Sequence, residues 1–278
     1  MFACIRERLA PPEAGDDVES FVEQFGALLA LGDFAYLGEA RRPGLAGRLA
    51  TWGVRIGWLV QTALLGLQAA RADGFPWATW AGSLNLFVWL VVGAYLIWGC
   101  RPRFRLLGLA VAPVAVALFA VARIGGGTGI GGRSHYSNLF LVLHVGLVLA
   151  AFAGFTLAAA LAAVYLFQER RLKRHDATIL RLPAPPLDTL DGLESRTILF
   201  SLPALTLGIL AGLVRLGEDG GGVDALMAVT LATWGAYGSY LALRYVYGWR
   251  GRRTAYLALG AFALVVVVRL ALPATHFA

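Results

Sequence analysis

The sequence predicts an all-α fold, a polytopic helical membrane protein of about eight transmembrane helices with the first one marginal. Three observations predict it. Residues 145–167 contain no charged side chain, which is enough helix to cross about 30 Å of hydrocarbon. Of the 278 residues, 58% are hydrophobic and 15% charged, with a mean hydropathy of +0.67. One soluble core of this size cannot hide so much apolar surface. The arginines and lysines collect in every second linker between apolar stretches, the pattern by which charge orients spans. Topology therefore accounts for the net charge of +7. A lipid bilayer is the expected surrounding, and no nucleic-acid partner is expected.

Taken in order, residues 1–20 are charged, contain prolines and lack an apolar run long enough for a cleavable signal peptide. FVEQFGALLALGDFAYLG follows, interrupted by Glu23 and Asp33. Intramembrane carboxylates are unfavourable, so this first span either crosses or lies along the surface. A basic linker with Arg41, Arg42 and Arg48 leads into a second span at about 49–70, where Arg55 is placed to snorkel. Trp77 and Trp80 mark an interface before a third span at about 82–100, and RPRFR marks the basic side again. A fourth span at about 106–121 runs into Arg123 and a glycine-rich loop, and the fifth is the uncharged stretch at 145–167. Pro183, Pro185 and Pro186 interrupt the long polar segment 168–196, in which Leu187, Leu190 and Leu193 predict a short surface helix. Spans six (about 198–214) and seven (about 223–245) flank RLGEDGGG, and GWRGRR precedes an eighth at about 255–272. The expected division is an N-terminal extension, 1–48, and a transmembrane unit, 49–278.

With the linkers carrying Arg41, Arg101, Lys173 and Arg250 on the cytoplasmic side, the C-terminus falls on the outer face of the cell inner (plasma) membrane. His144, at the start of the fifth span, and His276, just after Pro273, then share that face. His135 lies in an outer loop as a third candidate of undefined role, and His175 sits in the cytoplasmic linker.

Two neutral imidazoles from different helices at one depth suit the two faces of a planar metal macrocycle, the geometry of bis-histidine haem ligation. His144 and His276 are therefore candidate haem iron ligands, with haem b as the expected cofactor. Arg123, Arg133, Arg215 and Arg269 all fall on the outer half, the side that the charge rule depletes of cations. Guanidinium pairs bidentately with carboxylate, so these four are candidates for the haem propionates. The same arginines read equally as interfacial anchors.

Other chemistry is not supported. GTGIGG at 127–132 fits GxGxxG, but no strand precedes it and an apolar span follows, so the dinucleotide reading fails its context. Cys4 and Cys100 make no CxxC or CxxCH pattern, which excludes a disulfide framework and covalent haem attachment to this chain. No zinc motif, nucleophile elbow or phosphate loop appears, and the paired broken helices of a solute transporter are missing.

From about residue 52 onward the chain resembles the cytochrome c assembly family, the CcsA proteins and their HemX-like relatives. The resemblance rests on LHV at 143–145 with its long small-residue span into YLFQERRLK, LPALTLGILAG at 202–212, WGAYGSYLALRYVYGWRGRRTAYLALGAF from Trp234, and the terminal ATHF. It implies that histidines at the positions of His144 and His276 hold haem for transfer to apocytochrome c. It also implies partners among other cytochrome c assembly proteins or a haem-biosynthesis enzyme. The chain departs from the family where a tryptophan-rich segment resembling WGxxWxWDPKE is expected between spans six and seven. Here the sequence is LGEDGGGVDALM, retaining at best Asp224. Two functions stay open: haem handling in cytochrome c assembly, acting by binding as an accessory or delivery protein, or a HemX-like regulatory or scaffold role in haem metabolism without haem transfer. The second would use the linker 168–196 to recruit a partner.

Overall fold

The computed structural model describes residues 45–71, 79–99, 105–126, 139–174, 185–219 and 225–271. Among them are seven α-helices and no strand: α1 (Leu45–Arg71), α2 (Trp80–Gly99), α3 (Arg105–Ile124), α4 (Leu139–Lys173), α5 (Leu187–Asp219), α6 (Ala225–Tyr245) and α7 (Arg252–Ala271). The marginal first span, the loop 127–132 and His135, His175 and His276 lie outside the described residues. Among the described residues, three stretches are both long and apolar enough to cross a membrane: Trp80–Ile97, Val142–Lys173 and Leu187–Val214. The shortest of the seven helices has 20 residues, about 30 Å of rise. The protein is a polytopic helical membrane protein.

The pairs α1–α2, α4–α5 and α5–α6 run antiparallel, as side-chain contacts show directly. Between α1 and α2, Gln61 Nε2 donates to Asn85 Oδ1 at 2.8 Å and to Asn85 O at 3.2 Å, with both side chains buried. Beside them Trp58 and Trp89 stack with centroids 5.2 Å apart. Trp58 Nε1 donates to Trp89 O at 3.0 Å, and Trp89 Nε1 donates to Thr62 Oγ1 at 2.8 Å. In lipid, hydrogen bonds of this kind hold helices together where apolar contact alone gives little preference over lipid contact, each contributing about 0.6–2 kcal/mol.

α4 lies at the centre and packs most extensively on α5. Its small residues Ala151, Ala153, Ala158, Ala159 and Ala162 are buried and let neighbouring backbones come close. Phe155 stacks on Tyr237 of α6 at 3.8 Å between centroids, and both are buried. Gly154 meets α5 so closely that a Cβ there would land on the Ser201 side chain. Gly154→Leu should therefore destabilise the bundle by about 1–3 kcal/mol through overpacking, measured as thermal unfolding in detergent. An unchanged melting curve would rule out close α4–α5 contact at this level.

The expected surface helix at 187–193 is not a separate element. α5 is one continuous helix of 33 residues with Pro203 inside it. It starts directly after Pro185 and Pro186, with Leu190 N donating to Pro186 O at 3.2 Å. Leu190 and Leu193 are buried in the core cluster that includes α4 residues. The acidic residues beside them, Asp191 and Glu194, are buried as well. Asp191 accepts from Arg244 through both oxygens, at 3.0 and 2.7 Å, from Gly251 N at 2.9 Å and from Thr254 Oγ1 at 3.3 Å. Tyr240 donates to Glu194 Oε1 at 3.0 Å. Leucines three apart fit a surface helix and a buried one equally, and α6 and α7 supply the partners that allow the acids inside. Gly251 belongs to this knot for a backbone reason: its φ of 72° is left-handed, and a Cβ would sit 2.8 Å from the Tyr165 hydroxyl.

Candidate haem-binding site

His144 stands in the second turn of α4, at the end opposite the Asp191 knot, and is half-buried. Its neighbours come from α5, where Gly208 and Gly212 are spaced one turn apart. A Cβ at Gly212 would lie 2.8 Å from His144 Cε1 and 3.2 Å from Nδ1, and one at Gly208 would lie 2.8 Å from Val148 Cγ2. His144 and Val148, themselves four residues apart on α4, thus lie against a strip of α5 that is open only because both of its residues are glycine.

The imidazole is oriented by a hydrogen bond: Nδ1 is 2.6 Å from the Gly208 carbonyl oxygen. A carbonyl only accepts, so Nδ1 carries the hydrogen and, in the neutral ring, Nε2 keeps its lone pair. A metal-ligating histidine is held in this way, with one ring nitrogen donating to a carbonyl and the other left for the metal. Among the described residues no group of three or more His, Cys, Asp and Glu comes together, so His144 belongs to no multi-ligand cluster there. A lone imidazole with a free Nε2 could hold the iron of a haem, whose ring nitrogens would supply the other donors.

The other expected site residues are placed to different degrees. Arg215 lies on α5 one turn beyond Gly212, and Arg269 lies near the end of α7. α7 runs antiparallel to α4, since Arg170 near the end of α4 reaches Tyr256 near the start of α7. The backbones of 215 and 269 therefore lie toward the His144 end; their side chains are outside the described set. Arg123 is half-buried in the last turn of α3, whose end meets α2 where a Cβ at Gly125 would touch the Trp80 ring. Arg133 and His276 lie outside the described residues. Gly208 and Gly212, the neighbours of His144, were not singled out as candidates from the sequence. Their signal was Gly-x-x-x-Gly within an apolar span, which marks a close helix contact.

About 15 Å further along α4, at Gly154, a cavity of about 720 Å3 lies between α1, α2, α4 and α5. Its walls include Trp58, Trp89, Gly93, Ala153 and Ser201, and His144 is not among them.

The model of the family described as "Cytochrome C assembly protein" matches residues 77–272, well over half the chain. Among curated proteins the chain is 28% identical over 270 residues to "Cytochrome c biogenesis protein CcsA" of Gloeothece citriformis, covering 79% of this chain and 82% of that protein. It is 27% identical over 274 residues to the protein of the same name from Microcystis aeruginosa, again covering 79% and 82%. The protein so named in Guillardia theta is 26% identical over 226 residues, covering 73% and 75%. The family match spans the whole region from α2 to α7, the glycine strip and His144 included, and the chain belongs to the cytochrome c assembly protein family.

Proposed function

We propose that this chain is a haem-handling membrane protein of cytochrome c assembly, in which His144 and His276 are the axial ligands of a b-type haem. The observation that carries the reading is the His144 Nδ1 hydrogen bond to Gly208 O at 2.6 Å, which leaves Nε2 as the donor nitrogen. Haem, when bound, supplies an iron with two axial positions and two propionates. The chain's own part is to hold and orient. Gly208 orients the ring, Gly212 gives it room, and Arg269, Arg215, Arg123 and Arg133 supply guanidinium groups for propionate. The relatives' shared name, cytochrome c biogenesis protein, supports the assembly role. The chain acts by binding and presentation, in the cell inner membrane, with the His144 end and the C-terminus on the outer face.

The test is an absorption spectrum of the detergent-purified protein, before and after haem loading. A Soret band with sharp reduced α and β bands is expected, and a preparation that stays colourless after loading would overturn the ligand assignment. Arg269→Lys separates a propionate clamp from an interfacial anchor, because it keeps the charge but removes the planar fork. Haem affinity should fall roughly tenfold to hundredfold with expression unchanged, the equivalent of one charge-assisted hydrogen bond. Unaltered affinity in the corresponding lysine variants at all four positions would mark these arginines as anchors. The scaffold reading has less support, because 187–195, the last third of the linker it needs, is built into the start of α5, where Leu190, Asp191, Leu193, Glu194 and Ser195 are buried.

A further inference from the structure

At the end of the bundle opposite His144, two guanidinium groups meet on one oxygen. Arg170 Nη2 of α4 donates to the Tyr256 hydroxyl at 3.3 Å, and Arg252 Nη2 of α7 donates to the same oxygen at 3.4 Å. The Arg252 guanidinium also stands over the Tyr256 ring, 5.4 Å from its centre. Both lone pairs of the phenol oxygen are thereby used, and its own hydrogen is left to donate. Two positive charges around one neutral acceptor repel each other. Glu169 is within electrostatic reach of Arg252, but it holds Lys173 at 2.6 Å. Asp191 is committed to Arg244 in the interior. Among the described residues, what converges here is therefore a hydroxyl and two guanidiniums, all donors, and an anionic oxygen satisfies them.

The surroundings identify the anion. Tyr256 is 42% exposed, and the same outward stripe of α7 continues through Leu264 and Val267, 47% and 63% exposed. On α4, Phe167 lies one turn below Arg170 and is also exposed. An apolar track that ends in guanidinium groups matches a phospholipid, with acyl chains along α4 and α7 and the phosphate at the arginines. At the rim Arg171 lies over Phe167 at 4.8 Å and Arg253 over Trp249 at 5.6 Å. Their positive field disfavours a headgroup that carries its own cation, such as choline.

We propose that Arg170, Arg252 and Tyr256 form a binding site for the phosphate of an anionic phospholipid, which clamps the end of α4 to the start of α7. The full chain is reconstituted in nanodiscs of phosphatidylcholine containing a minor share of phosphatidylglycerol, and retained lipid is read by native mass spectrometry. Wild type should retain phosphatidylglycerol preferentially. In Arg170→Gln/Arg252→Gln that retention should fall about tenfold or more, the loss of charge-assisted contacts to phosphate, whereas Arg55→Gln on α1 should retain it. If the double variant does not fold, Tyr256→Phe, which keeps the ring and removes the hydroxyl, should still lower retention several-fold. Equal retention in wild type and in whichever of these two variants folds overturns the proposal, as does an absence of preference in wild type. Displacement of the lipid by millimolar inorganic phosphate would also overturn it, by making free phosphate the ligand.

Discussion

Asp191→Ala should destabilise the protein by about 3 kcal/mol or more, the largest single effect expected outside the proposed haem site. The side chains of Asp191 and Arg244 are only 7% and 9% exposed, and their two hydrogen bonds form a bidentate pair. Removing the carboxylate leaves a buried guanidinium and the Gly251 N–H without their acceptor, while the Thr254 hydroxyl keeps the Gly251 carbonyl at 2.8 Å. Breaking such a pair from one side commonly costs about 3–5 kcal/mol. The effect belongs at the lower end, because Glu194 lies close by and its Oε2 has no hydrogen-bond partner, so it can turn toward Arg244. Equilibrium or thermal unfolding in detergent measures the change. Asp191→Leu combined with Arg244→Met should recover most of it, since both charges are then gone. A single variant that melts like wild type would show that Asp191 does not tie α5 to α6 and α7.

His144→Ala should reduce bound haem to a small fraction of the wild-type level, with added imidazole restoring part of it by filling the vacated axial position. Gly212→Leu should act on the same ring without touching it chemically. A Cβ at 212 already falls 2.8 Å from His144 Cε1, so a leucine must push the imidazole off its Gly208 carbonyl. Loss of an orienting partner typically costs about 10–100-fold in metal affinity, and a drop of that size is expected here. Imidazole should rescue His144→Ala better than Gly212→Leu, in which the displaced ring still crowds the site. Haem content is read from the Soret band per mole of folded protein, and equal content in wild type and both variants would remove His144 from the ligand set.

The helical membrane architecture was legible because hydrocarbon imposes a simple rule on sequence. Every backbone polar group must be satisfied within its own helix, so a span shows itself as a long apolar run. The run at 145–167 and the alternation of basic linkers needed no tertiary information, nor did the placing of His144 at the end of its span opposite Arg170, Arg171 and Lys173. Antiparallel alternation followed from the same rule. The start of α5 was misjudged for an equally physical reason. Apolar periodicity tells which residues face something apolar, but not whether that is lipid surface or protein, and Leu190 and Leu193 turned out to be core. Their polar neighbours Asp191 and Glu194 look like solvated linker until Arg244 and Tyr240 arrive from α6, about fifty residues later.

For the site, sequence alone determined which residue types were available: a histidine at the end of a long span, arginines on the side where the charge rule disfavours them, and an order of motifs that resembles one family. Only the tertiary structure decided what His144 can do. The tautomer of an imidazole depends on the group its other nitrogen meets, here the carbonyl of a glycine 64 residues away in the chain. The room for the ring depends on a missing side chain at Gly212. Neither leaves a trace in hydropathy, because a glycine that makes room and a glycine that merely interrupts a helix are the same letter until the neighbouring helix is in place.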